Sequence, residues 1–215
     1  MGIELGTTNP GLKTAFASPP FFLIVYAEKT TLSFKHEVTD QSIIPLMETE
    51  PKSVVEFRGE KFIYTWIPES DYKKMTPYNL VSTVCFNEKG EVLISCQKRI
   101  WRLPGGAPEA EDITPDRTAV REFLDETNVS IENILLLGGF RIFKDTEPDN
   151  TFYQLCYYAE VEEIHCRKPS EEEGEIFRYK FTPPEDVNLL IGWEETGAAM
   201  MEEVFKLRAM LHPEK

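Results

Sequence analysis

The stretch that most constrains this chain runs over residues 101–129, WRLPGGAPEAEDITPDRTAVREFLDETNV. It joins a strand end, a paired-glycine loop, a helix with clear start signals and a helix stop. Gly105 and Gly106 lack a Cβ, so another group can approach the backbone closely there. Thr114 is a suitable N-cap, Pro115 suits the first helical position, and Asp116 complements the positive end of the helix dipole. Ala119, Val120, Phe123 and Leu124 supply an apolar face. Opposite them, Glu122, Asp125 and Glu126 stand at i, i+3 and i+4, bringing three carboxylates to one side of the helix. Like charges so placed destabilise a helix unless a cation bridges them. A hard divalent ion such as Mg²⁺ takes such oxygen ligands and keeps waters for a substrate phosphate. Arg121, four residues before Asp125, is placed to pair with it. Acidic residues at this spacing are, by themselves, usually a solvated face.

Charge narrows the partners. The chain holds 23 Lys+Arg against 37 Asp+Glu, a net charge of −14. Residues 78–215 carry most of it, with 15 basic and 27 acidic residues, against 8 and 10 in residues 1–77. Such a field repels phosphate backbones and anionic membrane surfaces, which excludes broad nucleic-acid or lipid-surface binding. A phosphate ligand would have to arrive with a cation. The longest purely apolar run, residues 21–27, falls far short of the roughly 20 residues needed to span a bilayer. It follows Pro19-Pro20 with only Lys13 upstream, a poor secretory signal, and reads as a buried strand. Cys85, Cys96, Cys156 and Cys166 form no C-x-x-C pair, and His165-Cys166, adjacent in a strand, point to opposite faces. Neither structural zinc nor disulfides are expected, which indicates a reducing compartment, the cytoplasm.

Hydrophobic patterning predicts strands at 21–28 and 31–38 and a hairpin of 53–57 with 61–67 around Arg58-Gly59-Glu60. The polar, Pro-bounded segment 68–77 is a candidate boundary. Beyond it come a hairpin of 80–86 with 91–97, the helix 114–127, and strands 134–143 and 152–161 joined by a polar loop at 144–150. A strand at 175–181, a turn at Pro183-Pro184 and a helix at 194–211 close the chain. On that last helix Met200, Val204, Leu207 and Leu211 form one stripe. Strands and helices that mix without strict βαβ alternation predict an α+β or α/β sandwich. Neither a Rossmann G-x-G-x-x-G nor a Walker G-x-x-x-x-G-K-[ST] occurs.

The 101–129 stretch resembles the Nudix box, G-x5-E-x7-R-E-U-x-E-E-x-G-U, in which U is a bulky aliphatic residue. The tail matches in register: Arg121, Glu122, Phe123 at the U position, Asp125, Glu126 and Val129. Trp101-x-Leu103-Pro104-Gly105-Gly106 is similar to the strand and loop that precede that box. Three departures stand out. Asp125 is one methylene shorter than the glutamate of the pattern. Asn128 replaces the final glycine and is the next best residue for a left-handed helix stop. The loop is longer: counting six on from Gly105 reaches Glu111, and from Gly106 reaches Asp112, leaving Arg121 ten or nine residues further instead of eight. Glu111 is the favoured loop carboxylate.

The resemblance covers roughly residues 79–211. It implies an α/β fold, a Nudix-type α/β/α sandwich with a mixed sheet, carrying a β-rich N-terminal extension. Residues 1–77 would be that extension or a small subdomain, and 78–215 the Nudix hydrolase domain. The implied activity is Mg²⁺-dependent hydrolysis, with Mn²⁺ as a substitute, of the pyrophosphate linkage in a nucleoside diphosphate joined to another moiety. Glu122, Asp125, Glu126 and Glu111 are the implied metal ligands. Glu122 and Glu126 are the implied catalytic residues, with Glu175 as a later general-base candidate. Lys98, Arg99 and Arg102 cluster just before the glycine loop; Arg99 and Arg102, with Gly105 and Gly106, are the candidate substrate-binding residues. Trp101 is a residue for base stacking or for packing. The expected partner is a nucleotide-type small molecule, and no membrane. The N-terminal hairpin is free to extend the sheet, cap the cleft or exchange strands in a homodimer, since exposed strand edges need covering. The alternative to an enzyme is a non-catalytic Nudix-fold module that binds a nucleotide or a protein.

Overall fold

The computed structural model describes residues 50–97, 99–166 and 178–213. The strands expected at 21–28 and 31–38, together with Lys98 and Glu175, lie outside the described residues. The described chain begins with a hairpin, β1 (Lys52–Phe57) and β2 (Glu60–Pro68), turned at Arg58 and Gly59, both with positive φ. A 3₁₀ turn at Tyr72–Lys74 leads to β3 (Tyr78–Phe86), β4 (Val92–Gln97), β5 (Ile100–Arg102) and β6 (Gly105–Gly106). Then follow α1 (Pro115–Thr127), β7 (Val129–Lys144), β8 (Glu147–Ile164), β9 (Arg178–Thr182), α2 (Pro184–Ile191) and α3 (Glu194–Leu211). Among the described residues no helix is long and apolar enough to cross a membrane.

The strands form one sheet in the order β1-β2-β7-β8-β3-β4-β5, with β6 on β3 and β9 on β4. β3 and β8 run parallel, while the other pairs are antiparallel. The sheet is therefore mixed, as the sequence led one to expect. β2 pairs with β7 from Phe62↔Lys144 to Pro68↔Gly138. The hairpin before residue 77 thus extends the same sheet.

Side chains alternate along each strand, and each parity buries against a different layer. Val84, Phe86, Val92, Ile94, Leu103, Phe140, Cys156 and Tyr158 pack with Val187 and Ile191 of α2 and with Met200, Met201 and Val204 of α3. The other parity packs under α1. Cys85, Leu93, Val129 and Ala159 meet Phe123, while Val81, Leu155 and Tyr157 meet Ala119. The result is an α/β/α sandwich, α1 on one face and α2 with α3 on the other. Each fully buried Phe, Leu or Ile in these layers contributes about 1.5–3 kcal/mol relative to exposure.

Several details differ from the sequence reading. The stretch at Pro183-Pro184 does not only turn: Pro184 opens α2, where a missing N–H costs nothing because the first helical N–H has no partner in any case. The polar loop at 144–150 shrinks to two residues, because β7 and β8 run on as a hairpin, with β2 paired along the end of β7. Leu124 and Leu211 are exposed at 37% and 42%, not part of their helices' buried stripes. On α1 the buried positions are Pro115, Thr118, Ala119, Phe123, Glu126 and Thr127. The inward stripe is rotated towards 126 and 127, and a glutamate occupies what helical spacing makes a core position.

Candidate active site

The glycine loop is placed by a hairpin that opens. β3 and β4 pair only through Cys85↔Leu93 and Phe86↔Val92 before diverging. β4 turns to β5 and β9, and the space left beside β3 is taken by β6, with Val81↔Gly106 and Ser82↔Gly105. The approach is close. A Cβ on Gly105 would stand 2.1 Å from the Val81 carbonyl oxygen, and one on Gly106 would stand 2.2 Å from the Glu122 carboxyl carbon. The first glycine lets β6 join the sheet; the second leaves a seat for a carboxylate.

α1 lies over this seat. Thr114 is its N-cap with extended backbone, although its hydroxyl caps nothing, and Asn128 ends it in the left-handed conformation with φ 58°. The Asn128 N–H donates to the Leu124 carbonyl at 2.8 Å. Asn128 therefore serves the stop that the pattern assigns to glycine.

Glu126 points into the sheet and is only 7% exposed. Arg102 donates to its Oε1, and its Oε2 accepts from Ser95 Oγ at 3.1 Å and from the Gly105 N–H at 3.4 Å. Ser95 and Arg102 are cross-strand neighbours on β4 and β5, so their side chains reach the carboxylate from adjacent positions on one face. Burial pushes the Glu126 carboxyl up, against the opposing pull of Arg102, Ser95 and Gly105. Burial likewise raises Glu122, and Arg121 opposes it.

Arg121 organises the loop edge. It donates to Asp112 through Nη2 at 2.7 Å and Nε at 3.2 Å, and to the Ala107 carbonyl at 3.1 Å. Its Nη1 donates to Glu122 at 3.0 Å and lies 3.4 Å from Glu109 and 3.9 Å from Asp125. The pairing with Asp125 expected from the sequence is the longest of these contacts. The Arg121 hydrogen bond, above all, holds the Asp112 carboxyl down at about 2, and the same contact raises the guanidinium.

Of the candidate residues, the structure brings Glu122, Glu126, Arg102, Gly105 and Gly106 together. Asp125 faces solvent, its side chain 64% exposed. Glu111 is exposed on the loop, while its neighbour Asp112, reached by the other count, holds Arg121. Arg99 is exposed in the turn between β4 and β5, with φ 69°. Trp101 has the opposite parity to Arg102: it packs against the α2 and α3 core, with Lys180 Nζ 4.7 Å from its ring centroid. Ser95 was not singled out from sequence; only strand alternation beside Arg102 signals it. The inward position of Glu126 was readable, since 119, 123 and 126 share one helical stripe.

Among the described residues no three His, Cys, Asp or Glu side chains are grouped as a metal cage. The donor chemistry still suits a hard divalent ion. Glu122, Asp125 and Glu126 offer carboxylate oxygens from one helix, and the bare backbone at Gly106 accommodates the Glu122 carboxylate where a Cβ would exclude it.

A family model described as the NUDIX domain matches residues 78–204. Among solved structures, a Bacillus subtilis pyrophosphohydrolase is 14% identical, with 67% of this chain and 91% of that chain covered at a TM-score of 0.54. That likeness shows the shared fold. A MutT protein from Bacillus halodurans is 22% identical, covering 56% of this chain and 78% of that chain, with a TM-score of 0.44. A Nudix hydrolase from Nitrosomonas europaea is 15% identical, covering 60% and 90%, with a TM-score of 0.46. A comparison with curated proteins finds no match.

Proposed function

This chain belongs to the Nudix family, and on that premise we propose that it hydrolyses the pyrophosphate linkage of a nucleoside diphosphate joined to another moiety. The observation that carries this reading is the docking of the α1 acids on the glycine loop. Glu122 sits over Gly106, and Glu126 is held at Gly105. Glu122, Asp125 and Glu126 would hold Mg²⁺, or Mn²⁺ in its place, with Glu111 as a further ligand from the loop. When bound, such an ion neutralises diphosphate charge and lowers the pKa of a coordinated water.

The chain's own residues supply the rest. Gly105 and Gly106 are the backbone substrate-binding positions of this proposal, on the loop whose bare backbone seats Glu122. Arg99, exposed in the turn between β4 and β5, would contact phosphate oxygens by charge-assisted hydrogen bonds. Arg102, which on β5 pairs with Glu126, is the second phosphate-binding residue of this proposal and would reach phosphate on leaving that carboxylate. Glu122, its carboxyl raised by burial, is poised to take a proton from the attacking water. Glu126 fixes the loop against the helix, and Glu175 is the further general-base candidate. The four free cysteines are in keeping with a cytoplasmic setting.

The test is turnover with Mg²⁺ on a panel of nucleoside-diphosphate derivatives, products being separated by chromatography. The wild type should release a mononucleotide, and Glu126→Gln should abolish release. A second reading, a non-catalytic nucleotide-binding module, draws on the solvent-facing Asp125. Tight nucleotide binding without turnover across the panel would favour it.

A further inference from the structure

We propose that Arg102 is an exchangeable counter-cation of Glu126: its guanidinium and a divalent metal ion compete for the same carboxylate, so metal uptake there requires Arg102 to swing away. The inference rests on the metal-dependent reading above. Both partners are buried, their side chains 8% and 7% exposed, and Arg102 Nη2 donates to Glu126 Oε1. The other oxygen, Oε2, already accepts from Ser95 and Gly105. Mg²⁺ binds a carboxylate oxygen at about 2.0–2.1 Å and demands near-ideal octahedral geometry. A guanidinium nitrogen in hydrogen-bond contact with Oε1 fills that space, and its charge repels the ion besides.

The three acids of α1 therefore differ in how an ion reaches them. Asp125 is open to solvent and Glu122 shares the rim with Arg121, whereas Glu126 is reached only when its internal partner has gone. β5 is a three-residue strand at the end of the sheet order, hydrogen-bonded to β4. Its arginine therefore sits on a strand laddered on one side, the least constrained place in the sheet order for a side chain to exchange. Exchange also prevents either charge from being left unpaired in the interior, a state that costs several kcal/mol per ion.

Mn²⁺ affinity, read by electron paramagnetic resonance of the free ion, tests the exchange in the wild type, R102Q, E126Q and the double variant. R102Q should bind Mn²⁺ about tenfold more tightly, because the competing charge is gone. In the E126Q background the same change should alter affinity less than about twofold, because the shared carboxylate is lost. Equal or weaker binding by R102Q, with turnover by the wild type intact, overturns this inference alone. No Mn²⁺ binding by the wild type or R102Q overturns it together with the metal-dependent function. Should R102Q not fold, the guanidinium resonances of wild-type Arg102 are followed by NMR during a Mg²⁺ titration. They should shift with the midpoint of metal binding, and resonances that stay fixed while metal saturates contradict the exchange.

Discussion

The two faces of the sheet are built by the same strands one residue apart, yet they bury different chemistry. Towards α2 and α3 the strands offer Ile94, Trp101, Phe140 and Tyr158, an apolar layer. Towards α1 the next residues along include Ser95, Arg102 and Tyr157, and the helix answers with Glu126. A charged group tolerates burial only when its hydrogen-bonding partners are buried with it. Ser95, Arg102 and Gly105 meet that condition for one carboxylate. The difference separates labour: one face supplies stability, and the other keeps polar groups in place at some cost to it. A register slip of one residue in β4 or β5 would exchange the two chemistries.

Breaking the apolar face should have the largest effect. Phe140→Ala removes a ring that packs with Trp66 and Trp193 at centroid distances of 5.0 and 4.8 Å. It should cost about 3–5 kcal/mol, measured by urea denaturation, while residual folded protein keeps its KM. On the opposite face, Glu122→Gln should lower kcat about 100-fold, or about 2.7 kcal/mol of barrier, with the melting temperature held within a few degrees.

The loop edge comes next. Asp112→Asn should destabilise the fold by about 1–3 kcal/mol, through its lost bonds to Arg121. Because Arg121 holds Asp112 down at about 2, this stabilisation is complete above the ordinary carboxylate value of about 4 and fades as pH falls towards 2. Melting temperatures of the wild type should therefore drop across that window, and those of the variant should drop less. Thr114→Ala is the smallest change. Its hydroxyl makes no cap bond, so calorimetry should find less than about 0.5 kcal/mol, against the typical loss of about 1 for a bonded cap.

Much of this organisation was legible in residues. The helix boundaries of α1 follow from Thr114, Pro115 and Asn128, and α3 from its apolar stripe. Strands without βαβ alternation pointed to an α+β or α/β sandwich, and the mixed sheet was implied by the Nudix resemblance. What escaped was non-local. That β3 and β4 part after two residue pairs depends on β6 and β9 arriving from elsewhere in the chain, and no local propensity encodes it. Arg102 and Glu126 are 24 residues apart, and only a side-chain contact from β5 to α1 joins them. The loop acid was ambiguous because a lengthened loop makes counting unreliable. Arg121 pairs with Asp112, a contact that spacing cannot reveal.

The most direct measurement compares metal binding with turnover in one titration of the wild type. Mn²⁺ occupancy and the rate of mononucleotide release from an active nucleoside-diphosphate derivative are recorded together, and a chelator is then added. Both should rise with one midpoint, and chelation should stop release. Release that persists after chelation, or full occupancy without release from any derivative, would contradict metal-dependent hydrolysis.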